Sequence, residues 1–133
     1  MNRIEIRNLS GQVLDLSPLE EAARLVLAAE GASLDALSVA LVDDEQMTEL
    51  NERFLGRRRP TDVIAFEAEE GEGEVIISVD TAARQAEEEG HSLPIEMRYL
   101  LAHGVLHVLG YDDADEQSRQ RMFDRQHEIL GTR

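Results

Sequence analysis

Two histidines four residues apart, followed by a glycine and paired aspartates, are the part of this sequence best suited to chemistry. They lie in the segment HGVLHVLGYDD, residues 103–113. On an α-helix, residues four apart share one face, so His103 and His107 can direct ring nitrogens at a single ion. Gly110 stops such a helix and allows the chain to carry Asp113 back toward the histidines. The spacing therefore predicts a metal site of His103, His107 and Asp113, with a position left for water.

Other interpretations of this segment stay open. The histidines could pack in an apolar helix, satisfied by their neighbours, although a pair at this spacing followed by a turn favours the metal site. His91 or His127, otherwise expected to be structural, could replace Asp113 as the third ligand. Gly104 stands where the zinc-protease motif H-E-x-x-H has its glutamate, so the general base of such proteases is missing here. Peptide hydrolysis by that route is therefore disfavoured.

Composition narrows the class of protein. The 133 residues suffice for a single domain spanning residues 1–133 with its own core, and there is no cysteine. Disulfides and thiolate zinc sites are excluded, so a metal must be held by His, Asp or Glu. The sequence contains no apolar run of the kind that a secretory signal or a membrane span needs. We expect a cytoplasmic protein with no membrane partner.

The charge is strongly acidic, with 13 basic against 28 acidic side chains and a net charge of −15. Such a total repels nucleic acid at long range. The basic residues are all arginine, however, and Arg53, Arg57, Arg58 and Arg59 fall within seven positions. Charges more than about 10 Å apart are largely screened at 0.1 M salt. A local cationic patch can therefore act despite the acidic total.

The elements that position these residues follow from patterning. Strands are predicted in IEIRN, in LSVALV (residues 37–42), and in TDVIAF and EVIIS, with EAEEGEG between the last two as a solvated hairpin loop. Helices are predicted from a capping Ser17 to Glu30, in EQMTELNERF after a cap at Asp43 or Asp44, in VDTAARQAEEE up to Gly90, from Pro94 to about Leu109, and in DADEQSRQRMFDRQHEIL. We expect an α+β fold in which helices pack on a small mixed sheet. The metal site would lie at the end of a helix in the C-terminal half.

Three ordered segments resemble one known family. LLAHGVLHVLGYDD resembles H-G-x-L-H-L-x-G-Y-D-H, the signature of the YbeY family of metal-dependent endoribonucleases. LNERFLGRRRPTDVIAF is similar to the family's N-x-x-[FY]-x(6)-T-D-V-L-S-F block, with Asn51, Thr61 and Asp62 at matching positions. GEVIISVDTAARQAEEEGHSL is similar to the strand and helix that come next. The similarity runs from about Leu41 to Leu130.

The resemblance implies a function as well as a fold. It implies a zinc ion held by the three signature histidines, cleavage of single-stranded RNA, and a role in 16S rRNA 3′-end maturation and ribosome quality control. The implied partners are single-stranded RNA or rRNA and the small ribosomal subunit or a basic ribosomal protein, with no DNA expected. His103 and His107 match two of the ligand positions. The third histidine is Asp113 here, and an arginine that many members carry after the aromatic residue is Leu55.

Both departures have physical consequences. A site of two histidines and Asp113 around Zn²⁺ has a formal charge of +1 instead of +2, so it should activate water less and favour harder ions such as Mn²⁺. With Leu55 in place of arginine, Arg57, Arg58 or Arg59 becomes the candidate for phosphate contact, because a guanidinium binds phosphate bidentately. A solvated basic loop is the alternative interpretation.

The predicted reaction is hydrolysis of an RNA phosphodiester, in which the metal polarises a phosphoryl oxygen or activates water. The sequence assigns no general base. Two other functions stay open: a metallopeptidase-like hydrolase, and a weakly active or non-catalytic ribosome-associated factor recruited through its acidic surface.

Overall fold

The sheet of this protein contains three parallel strands and one antiparallel edge strand. A computed structural model describes residues 3–131, in which the strands are β1 (Arg3–Asn8), β2 (Ala36–Val42), β3 (Val63–Glu69) and β4 (Glu72–Ser78). Their spatial order is β1-β2-β4-β3, and β3 is antiparallel to β4. The predicted small mixed sheet is confirmed.

Five helices surround this sheet within the described residues, and the last of them packs on the first and the fourth. They are α1 (Ser17–Ala29), α2 (Asp44–Leu55), α3 (Val79–Glu89), α4 (Leu93–Val108) and α5 (Glu116–Leu130). Each predicted helix is confirmed to within a few residues at its ends. None of the helices in residues 3–131 is long and apolar enough to cross a membrane.

The caps of the first two helices differ in how well the sequence predicted them. Ser17 is not the cap of α1, because it lies inside the first turn and its backbone N–H donates to the Asp15 carboxylate at 3.0 Å. The capping position is Leu16, which makes no side-chain cap. Asp43, in contrast, caps α2 as predicted and forms a reciprocal capping box with Gln46.

The hairpin between β3 and β4 is tighter than the predicted loop. EAEEGEG was expected to be solvated loop throughout, yet β3 runs to Glu69 and β4 begins at Glu72. Only Glu70 and Gly71 form the turn, and Gly71 adopts a φ of +79°. A two-residue turn needs such a conformation, which glycine reaches without steric cost. The acidic side chains are exposed on the strands themselves.

Two apolar layers cover the faces of the sheet. One layer joins inward residues of β2 and β4 to α1, α3, α4 and Met122 of α5, whereas the other places Met47 of α2 over Ile64 and Ile76. Helix α4 lies directly on β4 at Gly104. The approach is so close that a Cβ added at this glycine would lie 2.7 Å from Val75 Cγ1. This close approach fixes where the end of α4 presents its side chains.

Candidate metal centre

The end of α4 and the turn after it bring His103, His107 and Asp113 together. The two Nε2 atoms lie 3.1 Å apart, and Asp113 Oδ2 lies 3.7 Å from His107 Nε2. All three residues offer a ligand atom within 4.8 Å of the others. Donors at about 2.0–2.1 Å from a tetrahedral Zn²⁺ are roughly 3.3 Å from one another. The spacing and chemistry of these donors therefore fit a small divalent cation.

The glycine turn after α4 delivers the carboxylate. Gly110 has a φ of +109°, and its N–H donates to the His107 carbonyl while the Tyr111 N–H donates to the Leu106 carbonyl, each at 3.0 Å. These bonds reverse the chain at the helix end, as glycine C-terminal caps do. Asp113 consequently lies beside His107, with half of its side chain exposed.

A buried glutamine on α5 orients the first histidine. Gln126 is 7% exposed; its Nε2 donates to the Tyr99 carbonyl at 3.2 Å, and its Oε1 lies 3.2 Å from His103 Nδ1. Because a carbonyl only accepts, Oε1 must face His103, which therefore donates from Nδ1. His103 Nε2 is left with a lone pair directed at the centre. Burial lowers the pKa of His103, and the nearby charge of His107 acts in the same direction.

The other two histidines lie elsewhere. His91 Nε2 is 2.5 Å from the buried carboxylate of Glu96 at the beginning of α4. The His127 ring packs against Tyr99 and Phe123, with ring centroids 5.6 and 4.4 Å away. Within residues 3–131 neither histidine joins the group of three donors.

The arginine run lies in the exposed loop between α2 and β3. Arg58 pairs with Glu52, and the Arg59 carbonyl accepts a hydrogen bond of 2.8 Å from the buried amide of Asn51. Asn51 thus holds the loop in place. Across the described residues, no ion pair or hydrogen bond joins the guanidinium groups of residues 57–59 to the three donors. The predicted phosphate contact from this run stays a prediction.

Asp62, at the far end of that loop, approaches the centre more closely. Its carboxylate accepts hydrogen bonds from the Val63 N–H at 2.8 Å and from Gln85 Nε2 at 3.3 Å. The negative charge of Asp62 also acts on His103, in the direction that raises its pKa. Thr61, a further matched position of this block, is half-buried and precedes Asp62.

A cleft of about 380 Å³ opens beside His103, between α3, α4 and α5. Its lining includes Asp62 together with Arg119, Phe123 and Gln126 of α5. Sequence reasoning missed these three α5 residues. Their spacing of four and three places them on one helical face, which was the available signal, but only the docking of α5 reveals what that face meets.

Comparisons with known proteins point to one family. A family model described as "Endoribonuclease YbeY" matches residues 3–132. A protein of that name from Bacillus licheniformis is 41% identical over 145 residues, covering 96% of this chain and 92% of the relative. One from Pelotomaculum thermopropionicum is 44% identical over 125 residues, covering 85% and 82%. The solution structure of TM1509 from Thermotoga maritima, at 26% identity, covers 96% of this chain and 90% of that one with a TM-score of 0.63.

Proposed function

This chain belongs to the YbeY family and is an endoribonuclease, and from that premise we propose that it cuts RNA at the centre formed by His103, His107 and Asp113. One observation carries the assignment: two imidazole Nε2 atoms and a carboxylate converge within 4.8 Å. The two Nε2 atoms lie 3.1 Å apart, and a bound cation would take the place of the hydrogen-bond proton between them. The orientation of His103 by Gln126 supports the same role.

We assign the donor set to Zn²⁺, with Mn²⁺ as the alternative that the carboxylate favours. The bound ion would polarise a phosphoryl oxygen and lower the pKa of a water molecule. His103 and His107 supply neutral nitrogen ligands, and Asp113 contributes the negative charge. Because half of the Asp113 side chain is exposed, the centre is open to substrate on that side.

The proposed substrate is single-stranded ribosomal RNA, at the 3′ end of 16S rRNA. The net charge of −15 opposes capture of RNA through long-range attraction. Recruitment to the small ribosomal subunit through a basic ribosomal protein is consistent with this charge. Such an activity would act in the cytoplasm, where ribosomes are assembled.

The test is a cleavage assay with controlled metal content. Protein stripped with a chelator and reloaded with Zn²⁺ or Mn²⁺ is expected to cut a single-stranded 16S 3′-end fragment and to leave casein intact. The His107→Ala variant is expected to lose cleavage, because it removes a metal ligand. Cleavage that survives chelation or His107→Ala would contradict this assignment of the active centre. Casein hydrolysis would instead support the peptidase alternative.

The identity of the third ligand has its own test. Asp113→His is expected to change divalent-metal affinity and to shift the preference from Mn²⁺ toward Zn²⁺, because it replaces a hard anionic ligand with an imidazole. Calorimetric titration with each metal measures both quantities. Unchanged affinity for every divalent metal would show that Asp113 is not a ligand.

A further inference from the structure

Two side chains of α5, Arg119 and Phe123, line the cleft beside His103 and take no part in the metal centre. They also line an adjoining hollow of about 260 Å³ on the outer surface of α5. The two cavities share Arg119 and Phe123, and His103 lines the larger one. Arg119 and Phe123 occur at the border of both.

Arg119 offers an unused cation at this border. Its backbone N–H bonds to the Asp115 carbonyl at 3.0 Å, but its guanidinium forms no hydrogen bond or ion pair with any residue in the described range. Arg84 and Arg125, by contrast, are paired with carboxylates at 2.8 and 2.6 Å. Among the residues that line the cleft, Arg119 is the sole arginine and the other charged groups are acidic. An unpaired guanidinium in this position suits a phosphate, which it can bind through two parallel hydrogen bonds.

Phe123 offers an aromatic face next to that cation. Phe123 is 42% exposed, and its ring packs against the His127 ring at a tilt of 52°, with centroids 4.4 Å apart. The His127 ring in turn meets Tyr99 edge-on at 5.6 Å. An aromatic ring that is fixed by a neighbouring ring and partly exposed can stack a nucleobase at low entropic cost, and every base has a face for such stacking.

The position on α5 connects this pair to the metal centre. Arg119, Phe123 and Gln126 share one helical face, and Gln126 bonds to His103 at 3.2 Å. At a rise of 1.5 Å per residue, Phe123 lies about 5 Å and Arg119 about 10 Å along the axis from Gln126. We propose that Phe123 and Arg119 form a nucleotide-binding site for single-stranded RNA, in which Phe123 stacks one base and Arg119 binds an adjacent phosphate. This inference rests on the proposed function, since it takes RNA as the ligand.

Acidic residues on the other side of the cleft favour binding of the RNA backbone next to Arg119. The carboxylates of Asp62, Glu88 and Glu89 also line the cleft, so a phosphate is repelled from the side of the cleft opposite α5. The backbone of the RNA is thereby confined to the α5 side, where Arg119 lies. The amide of Gln85 faces the same cleft.

The experiment measures binding of a labelled 2′-O-methyl oligonucleotide of ten residues to the zinc-loaded protein across a range of salt concentrations. Arg119→Gln is expected to weaken binding about ten-fold at low salt. It should also reduce the slope of log affinity against log salt by about 0.7, the value for one lost phosphate contact on a single strand. Phe123→Leu is expected to weaken binding about ten-fold with an unchanged salt slope, because stacking releases no counterion.

Conservative and control variants separate this role from a structural one. Arg119→Lys should keep the salt slope, and Phe123→Tyr should keep most of the affinity. The controls lie on exposed positions of α1. Arg24→Gln removes the same charge as Arg119→Gln, and Leu25→Ala removes an exposed apolar side chain as Phe123→Leu does. Both should leave binding within two-fold of the parent protein. Thermal unfolding identifies any variant that fails to fold.

The outcomes for the site and for the enzyme can be told apart. If the parent protein cuts RNA while Arg119→Gln and Phe123→Leu bind and cut as it does, the nucleotide site is wrong and the proposed function stands. If the parent protein binds RNA without cutting it, and both variants weaken binding as described, the nucleotide site stands and the proposed function fails.

Discussion

At the scale of single residues, the centre depends on a side chain outside the group of three donors, Gln126. It converts a histidine that could donate or accept at either ring nitrogen into one whose Nε2 is available to a cation. The pairing of His103 with His107 was predictable, because it depends on local helical periodicity, and so was the glycine turn that returns Asp113. The contact from Gln126 spans 23 residues and depends on how α5 docks on α4, which local patterning does not encode.

Removing that contact should weaken metal binding. Gln126→Leu keeps the approximate volume but removes the acceptor that faces His103 Nδ1, so we expect Zn²⁺ affinity to fall about 10–100-fold. Gln126→Glu retains an acceptor for His103 and should bind Zn²⁺ more tightly than Gln126→Leu. Competition against a chelator measures affinity, and urea unfolding of the metal-free protein separates lost stability from lost binding. Equal Zn²⁺ affinity in the parent and Gln126→Leu proteins would refute the orienting role.

At the scale of elements, hydrophobic periodicity and the residues that begin or end helices predicted every helix and strand of the described residues. The cap of α1 and the length of the β3–β4 turn were predicted wrongly. Ser17 matched the preferred type for a cap, but Asp15 accepts the first backbone N–H instead. The acidic hairpin was taken as loop because its charge indicated exposure, yet exposed side chains are compatible with an edge strand such as β3. Gly104 illustrates the same limit. The sequence showed that the glutamate of the zinc-protease motif is missing at this position, whereas only the structure shows that the glycine allows α4 to contact Val75.

Gly104→Ala tests that contact between α4 and β4. In an exposed helix this change stabilises by about 1 kcal/mol. Here the new Cβ would lie 2.7 Å from Val75 Cγ1, and overpacking costs about 1–3 kcal/mol, so we expect net destabilisation. Val75 is buried and β-branched, which prevents it from turning aside.

The matched control is the same substitution in a Val75→Ala background, where Gly104→Ala should become stabilising because the obstructing methyl groups are gone. The free energy of unfolding of the four proteins in urea gives the coupling directly. If Gly104→Ala stabilises both backgrounds equally, α4 does not depend on a glycine contact at this point.

At the scale of the whole molecule, the net charge of −15 means that carboxylates repel one another unless they are paired with hydrogen-bond donors or cations. Asp44 is one of the few acidic groups used to join elements, because it accepts hydrogen bonds from Ser78 and Thr81 at 2.7 Å and from Arg84 at 2.8 Å. These contacts connect the beginning of α2 to the junction of β4 and α3. Burial alone would raise the pKa of Asp44, but the three hydrogen bonds outweigh it and hold the pKa below its ordinary value of 3.8.

A carboxyl whose pKa is lowered by folding stabilises the protein above its unfolded pKa, and that contribution is lost as the pH falls through the folded value. We therefore expect Asp44→Asn to reduce the free energy of unfolding by about 1–3 kcal/mol at pH 7, since charge-assisted hydrogen bonds are lost. The difference between the two proteins should be constant from pH 7 to about 5 and should shrink below about pH 4.

Glu21→Gln, on the exposed side of α1, removes the same charge from the total and controls for general repulsion. A difference for Asp44→Asn that is the same at pH 3 and pH 7, or that matches Glu21→Gln throughout, would mean that the charge of Asp44 does not stabilise the junction.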